Sequence, residues 1–330
     1  MKNFENLKKI FIIAEIGNNH EGNYKNAIKL IDKAKKSGVD AVKFQTFETK
    51  NFVNKSEKKR FDVLKSFELK KENFKKLSIY ARKKGLKFIS TPLDIYSANF
   101  LSSIVDIFKI SSGDNNYFEL IKLCASYKKP LIISTGLINL SEIKKILNIL
   151  KKFNFPLKKL SFLHCVSDYP VKYNEANLLS IKLLKDKLPV TIGYSDHVIG
   201  DESCIVAASF GAKIIEKHFT LKNNFSNFRD HQLSLNPDDM KKMVIKIRKV
   251  ESMLGSYKKV ISKGESKNFK LMRRSLYFAK DLQQGTILKK KHFKIVRPFK
   301  NYGPEDIKKF LGKKLKKNVK DADIVTDRLI

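Results

Sequence analysis

What this chain has little of narrows its class first. It carries three cysteines, Cys124, Cys165 and Cys204, an odd number with no CxxC spacing. That leaves no disulfide framework to read, and free thiols in a cytoplasmic chain are expected. No apolar run approaches the roughly 18–20 residues that span a bilayer. The opening MKNFENLKKIFIIAEIG is basic and then apolar, but Glu15 interrupts it and no small-residue cleavage site follows. It is therefore read as a first strand rather than a leader. A GxGxxG fingerprint is absent, which disfavours an open, doubly wound dinucleotide-binding sheet. Acidic residues are few, 33 against 68 Lys and Arg, for a formal charge of +35. Such an excess raises nucleic acid as a partner. It is mostly lysine scattered over helix faces such as KKILNILKKF, with no stripe of arginine alternating with stacking aromatics. Neither nucleic acid nor membrane is therefore expected as a partner, and the basic field favours an anionic substrate.

What is present is a repeating pattern. Eight short apolar runs recur, and nearly all end in polar residues: FIIAEIGNNH, AVKFQTF, FISTPLD, IFKISSGD, LIISTGL, LSFLHCVSD, TIGYSDH and IIEKHFT. They predict strands over 11–16, 41–47, 87–91, 107–111, 130–134, 160–165, 190–194 and 212–218. Between them lie helical patterns, the first running to a stop at Gly38 and the last covering 237–254. Strands apolar on both faces that alternate with helices make a parallel sheet. Eight such units predict a (β/α)₈ TIM barrel over 1–255, with its active site at the C-terminal strand ends. Residues 48–70 form a polar excursion too long for an ordinary βα loop, which marks them for function or assembly. Residues 256–270 lack periodicity and read as a linker. Beyond them, 271–330 shows short alternating segments around a QQG turn and predicts a small, mostly β domain.

The chemistry collects at the strand ends. His197 and His218 close the seventh and eighth strands, and imidazoles on adjacent barrel strands can share one ion. A single histidine is more often a satisfied polar residue, but two at matching positions suit a divalent metal such as Mn²⁺ or Mg²⁺ with open positions. Lys43 and Lys109 end the second and fourth strands, where a buried ammonium requires an anion. With Ser111, Ser112 and Ser134 nearby they form a cradle for phosphate and carboxylate oxygens. Gln45 shares a strand face with Lys43. A Schiff-base lysine of an aldolase is the competing reading. Glu15 and Glu216 are carboxylates in apolar strands, needing a cation, a hydrogen bond or a proton-transfer role. A salt bridge to Lys43 would satisfy Glu15. Asn18, Asn19 and His20 are read equally as turn and cap residues, and Asp230 with His231 as a loop pair or a substrate contact.

At these residues the chain resembles a known family. AEIGNNHEG, VKFQTF, FISTP, FKISSGD, IISTGL, LHCVSDYP, IGYSDH, IEKHFTL and DHQLSL, in this order, are similar to the sialic acid synthase family. RRSLYFAKDLQQGTIL and IVRP resemble the antifreeze-like (SAF) domain that follows its barrel. The resemblance implies a transferase that condenses phosphoenolpyruvate with an N-acylated amino sugar to make nonulosonic acids, such as those of surface polysaccharides. It implies a homodimer in which the small domain reaches over the partner's active site. It implies a divalent cofactor, Mn²⁺ with Mg²⁺ or Co²⁺ as alternatives, held by His197 and His218. Lys43, Lys109, Ser112, Ser134 and Ser195 match phosphoenolpyruvate contacts. Glu15, Gln45, Tyr169, Glu216 and Asp230 match residues around the sugar and reaction centre, and Ser167 stands near the sugar where some members carry asparagine. Arg297 matches a tail arginine that reaches the sugar's N-acyl group from the other subunit. The stretches NNFSNFRD and RPFKNYGP depart from the usual glycine-containing patterns, which leaves the acceptor sugar open.

Overall fold

The apolar runs set the architecture because each is buried on both faces. In a computed structural model describing residues 3–330, the eight predicted strands form a closed parallel barrel. They are β1 (Phe11–Gly17), β2 (Ala41–Thr46), β3 (Lys87–Pro92), β4 (Ile107–Ile110), β5 (Leu131–Ser134), β6 (Leu160–Cys165), β7 (Thr191–Asp196) and β8 (Ile214–His218). The ring closes where Phe11 to Glu15 of β1 pair with Ile214 to His218 of β8.

Alternation divides each strand between two cores. Ile12, Val42, Phe88, Phe108, Ile133 and Phe162 point outward into the layer shared with the helices. Phe11, Ile13, Ala41, Ile89, Ile107, Ile132, Leu163 and Ile214 point inward and fill the lower barrel, with Phe4 beneath them. Continuing the inward parity up each strand leads to Glu15, Lys43, Thr91, Lys109, Ser134, Cys165, Ser195 and Glu216. An apolar plug therefore supports a polar layer at the strands' C-terminal ends.

The helices begin and stop on local signals. The Asn23 side chain accepts the Asn26 amide to start Tyr24–Ser37, and Gly38 ends it at φ 85°, a left-handed conformation glycine adopts without strain. Asn139 and Glu142 form a capping box at Leu140–Lys152. The 48–70 excursion folds into two short helices, Thr49–Phe52 and Lys58–Phe67.

The chain divides into two compact units, Met1–Gly255 and Ser256–Ile330. The second holds a two-stranded antiparallel sheet, β9 (Ser275–Phe278) and β10 (Phe293–Val296). An isolated bridge from Tyr277 to Ile324 extends its pairing, around a core that includes Leu276, Phe278, Phe293 and Phe310. The stretch read as a linker is irregular only to Ser262; Lys263–Met272 is helical, started by a Ser262–Glu265 capping box. Its apolar spacing was unreadable because none of its residues is buried. Among the described residues, no helix is long and apolar enough to cross a membrane.

Candidate active site

The polar layer opens into a cavity of about 860 Å³. Four charged side chains make its floor, each between 2% and 4% exposed. Lys43 Nζ lies 2.7 Å from Glu15 Oε2 and 3.8 Å from Glu216 Oε1, and Lys109 Nζ is 3.3 Å from the same Glu216 oxygen. The Ser195 hydroxyl donates to Glu216 Oε1 at 2.9 Å, and Gln45 Nε2 to Glu15 Oε1 at 3.4 Å. Asn18 in turn donates to Gln45 Oε1 at 3.0 Å.

The two carboxyls are driven apart. Burial raises the pKa of Glu15, Lys43 opposes the rise, and Glu216 adds to it. At Glu216 burial is outweighed by the charges of Lys109 and Lys43 and by the Ser195 hydroxyl, holding it below the usual range. The lysines diverge as well. Burial is overcome at Lys43 by Glu15 and Glu216, which raise it. At Lys109 burial dominates and depresses it despite Glu216. Such splitting is how one site holds both a proton donor and a fixed anion.

Beside the floor stand the imidazoles, with ring centroids 5.4 Å apart. His197 Nδ1 lies 2.7 Å from the Val166 carbonyl; in the neutral ring, donation there leaves Nε2 as the acceptor. His218 Nδ1 is buried without a hydrogen-bond partner among the described residues, and Asp230 Oδ2 is 4.0 Å away. Burial, the His197 charge and nearby lysines hold His218 well below the ordinary histidine value, so it is a neutral imidazole, the form that binds metals. Among the described residues, no group of three His, Cys, Asp or Glu is arranged to hold an ion alone. The pair fits an ion that keeps open positions for water or substrate oxygens, and the unsatisfied His218 nitrogen supports that fit.

The remaining predicted residues fall into three groups. Ser112, Ser134, Tyr169 and Asp230 line the same cavity. Ser112 Oγ accepts the Gly136 amide at 3.1 Å, while Ser134 Oγ has no partner among the described residues. Tyr169 packs on His197 at 4.2 Å between centroids, and the Arg229 guanidinium sits 4.6 Å from the Tyr169 ring. Burial raises the Asp230 pKa against the pull of Arg229. Ser167 instead lines an adjoining cavity of about 390 Å³. Arg297 belongs to the second unit, directly after β10.

Asn19 and His20 hold loops. Asn19 donates to the Phe219 carbonyl at 2.9 Å and to Ser234 Oγ at 3.0 Å. His20 Nδ1 accepts the Gly22 amide at 3.0 Å, and burial pushes its pKa down to about 4. His231 sits between Thr220 Oγ1 at 2.6 Å and Glu21 Oε1 at 3.3 Å, fastening the Asp230 segment to the β1 loop.

Sequence reasoning passed over Cys165, Phe52, Leu64, Phe228 and Arg229, all of which line the cavity. Cys165 Sγ is 3.9 Å from His197 Nδ1. Its inward parity on β6 was the available signal; the others come from connections whose course no periodicity sets.

A NeuB family model matches residues 30–259, and a SAF domain model matches 273–329. The N,N'-diacetyllegionaminic acid synthase of Campylobacter jejuni is 36% identical, over 97% of this chain and 100% of that protein. Its namesake from Legionella pneumophila is 38% identical, over 94% and 91%. The crystal structure of N-acetylneuraminic acid (sialic acid) synthetase from Leptospira borgpetersenii, in complex with citrate, has a TM-score of 0.75 and 34% identity. The match covers 79% of this chain and 90% of that one. Sequence, barrel and appended domain agree, and the chain belongs to the NeuB family.

Proposed function

We propose that the protein is a nonulosonic acid synthase that joins phosphoenolpyruvate to the open-chain aldehyde of an N-acylated amino sugar, adds water and releases phosphate. The observation that carries this reading is the interior placement of Lys43 and Lys109 beside an unsatisfied Ser134 hydroxyl and the His197–His218 pair. A monoanionic acceptor would need fewer cations; a phosphate with a carboxylate uses both lysines and the serines Ser112, Ser134 and Ser195. When bound between the histidines, a divalent ion, Mn²⁺ foremost, would supply Lewis acidity toward a carbonyl oxygen.

The residues' work follows from the reaction's bookkeeping of bonds. C3 of phosphoenolpyruvate bonds to the aldehyde carbon, leaving an electron-poor C2. Water adds at C2, and the C2–O bond to phosphate breaks, giving a 2-keto acid. Glu216, held as the anion, stabilises positive charge near C2, and the raised Glu15 handles a proton of the aldehyde oxygen or the incoming water. Gln45, Tyr169, Asp230 and, from the adjoining cavity, Ser167 orient the sugar. Arg297 of a second copy in a domain-swapped homodimer completes its N-acyl contact. The free cysteines suit a cytoplasmic enzyme.

The test is phosphate release and product mass with N-acetylmannosamine and the dideoxy-diacetamido precursors of legionaminic and pseudaminic acid. One sugar turns over, EDTA abolishes the activity, and His218→Ala lowers it by at least ~10³-fold. Absence of phosphate release with every sugar and metal would sink the reading. One observation favours a Schiff-base aldolase instead, the depressed Lys109 amine. That reading requires borohydride trapping on Lys109 and indifference to chelator.

A further inference from the structure

A second buried ion pair lies outside the cavity, and none of the roles above uses it. Lys217 is fully buried and Asp196 is 1% exposed. Lys217 Nζ lies 2.7 Å from Asp196 Oδ2 and also donates to the Val198 carbonyl. Asp196 further accepts from the Tyr194 hydroxyl at 2.8 Å, the Ser203 hydroxyl at 2.8 Å, the Val198 amide at 2.9 Å and the Cys204 thiol at 3.2 Å. Burial and the Asp196 charge push the Tyr194 and Cys204 pKa values up, so both keep their protons as donors.

Replacing such a pair by apolar side chains is often neutral or stabilising, so stability alone is a weak reason for it. Its position supplies a better one. Asp196 and Lys217 are register partners on β7 and β8, and each immediately precedes one of the two histidines. Strand alternation turns the pair outward toward the helix layer and the histidines inward. Val198, on the other side of His197, is bonded to both members of the pair. His197 is thus bracketed by two residues tied to Lys217, and His218 follows Lys217 directly.

We propose that Asp196 and Lys217 are positioning residues that clamp the ends of β7 and β8, fixing the separation of His197 and His218 and so the affinity of that pair for a divalent ion. The inference rests on the metal reading given above. Loss of an outer support of metal ligands weakens binding by about 10–100-fold, because the imidazoles must then be ordered at the moment of binding.

The experiment measures Mn²⁺ binding to the full-length protein by the electron paramagnetic resonance signal of free Mn²⁺. It compares wild type, His218→Ala and the double variant Asp196→Asn/Lys217→Met, which removes both charges and strands neither. The expected result is a double variant with wild-type circular dichroism and a Kd for Mn²⁺ raised about 10–100-fold. The Mn²⁺ concentration for half-maximal phosphate release rises in step, while kcat at saturating Mn²⁺ stays within about tenfold. A merely structural role would leave the Mn²⁺ affinity alone. A folded double variant with wild-type affinity overturns the clamp while leaving the metal reading intact. Equal Mn²⁺ binding by wild type and His218→Ala overturns the metal reading and the clamp with it. Should the double variant not fold, Lys217→Arg, which keeps the charge but not the reach, must weaken Mn²⁺ binding; unchanged affinity there also overturns the clamp.

Discussion

Two buried charge clusters sit back to back on β7 and β8. On the outer face, Asp196 collects five donors, among them the Lys217 ammonium, and is sealed from the cavity. On the inner face, one residue along each strand, Ser195 and Glu216 join Glu15, Lys43 and Lys109 in a cluster that ends in loose polar atoms. Glu216 Oε2, Ser134 Oγ and His218 Nδ1 all lack partners among the described residues. The same residue types therefore serve opposite ends. A completed network holds backbone in place, whereas an incomplete one has capacity left for a ligand.

The sharpest way to break this comparison is to remove one lysine from each side. Lys109→Met lowers phosphate release by at least ~10²-fold yet costs less stability than loss of the outer lysine, because Lys43 at 3.8 Å and the Ser195 hydroxyl at 2.9 Å still face the Glu216 it leaves. Lys217→Met has the reverse profile for stability, costing about 3–5 kcal/mol by leaving Asp196 charged, buried and short of its cation. Urea denaturation of both variants decides it, and equal losses would erase the distinction. A smaller effect comes from Gly136→Ala. A Cβ there would meet Ser167 Oγ at 2.3 Å and Ser112 Oγ at 2.7 Å, so the open cluster loses its serine wall. The KM for phosphoenolpyruvate rises about tenfold with thermal stability close to wild type; an unchanged KM would remove Ser112 from the anion site. Smallest is Asn139→Ala, which deletes a helix cap that belongs to neither cluster. It costs about 1 kcal/mol in denaturation and leaves KM alone.

Most of the barrel was legible because its strands are short, apolar on both faces and closed by polar residues. The expected 160–165 strand and 237–254 helix are found at those bounds. The inward residues were legible for the same reason, since Glu15, Lys43 and Lys109 are charged residues inside otherwise apolar runs. Asp196 and Lys217 were not. The seventh strand was expected to end at Tyr194, and a lysine in a chain with 68 Lys and Arg reads as solvated. Pairing of β7 with β8 brings those two residues into register. The signal in the sequence was parity: a charged residue next to each histidine, on a strand buried on both sides. The cavity wall from Phe52 and Leu64 was hidden differently, in a polar excursion whose helices gain their places from tertiary packing rather than from pattern.

The floor of the cavity has a consequence for the pace of turnover. Two lysines face two glutamates there, so local charges cancel although the chain as a whole carries +35. The diffuse positive field speeds the arrival of anions by steering. The balanced floor limits how long any one of them stays, since each ammonium already has a carboxylate neighbour to return to. Arrival and residence are thereby governed by different parts of the molecule, and an anionic product meets no deep electrostatic trap on its way out.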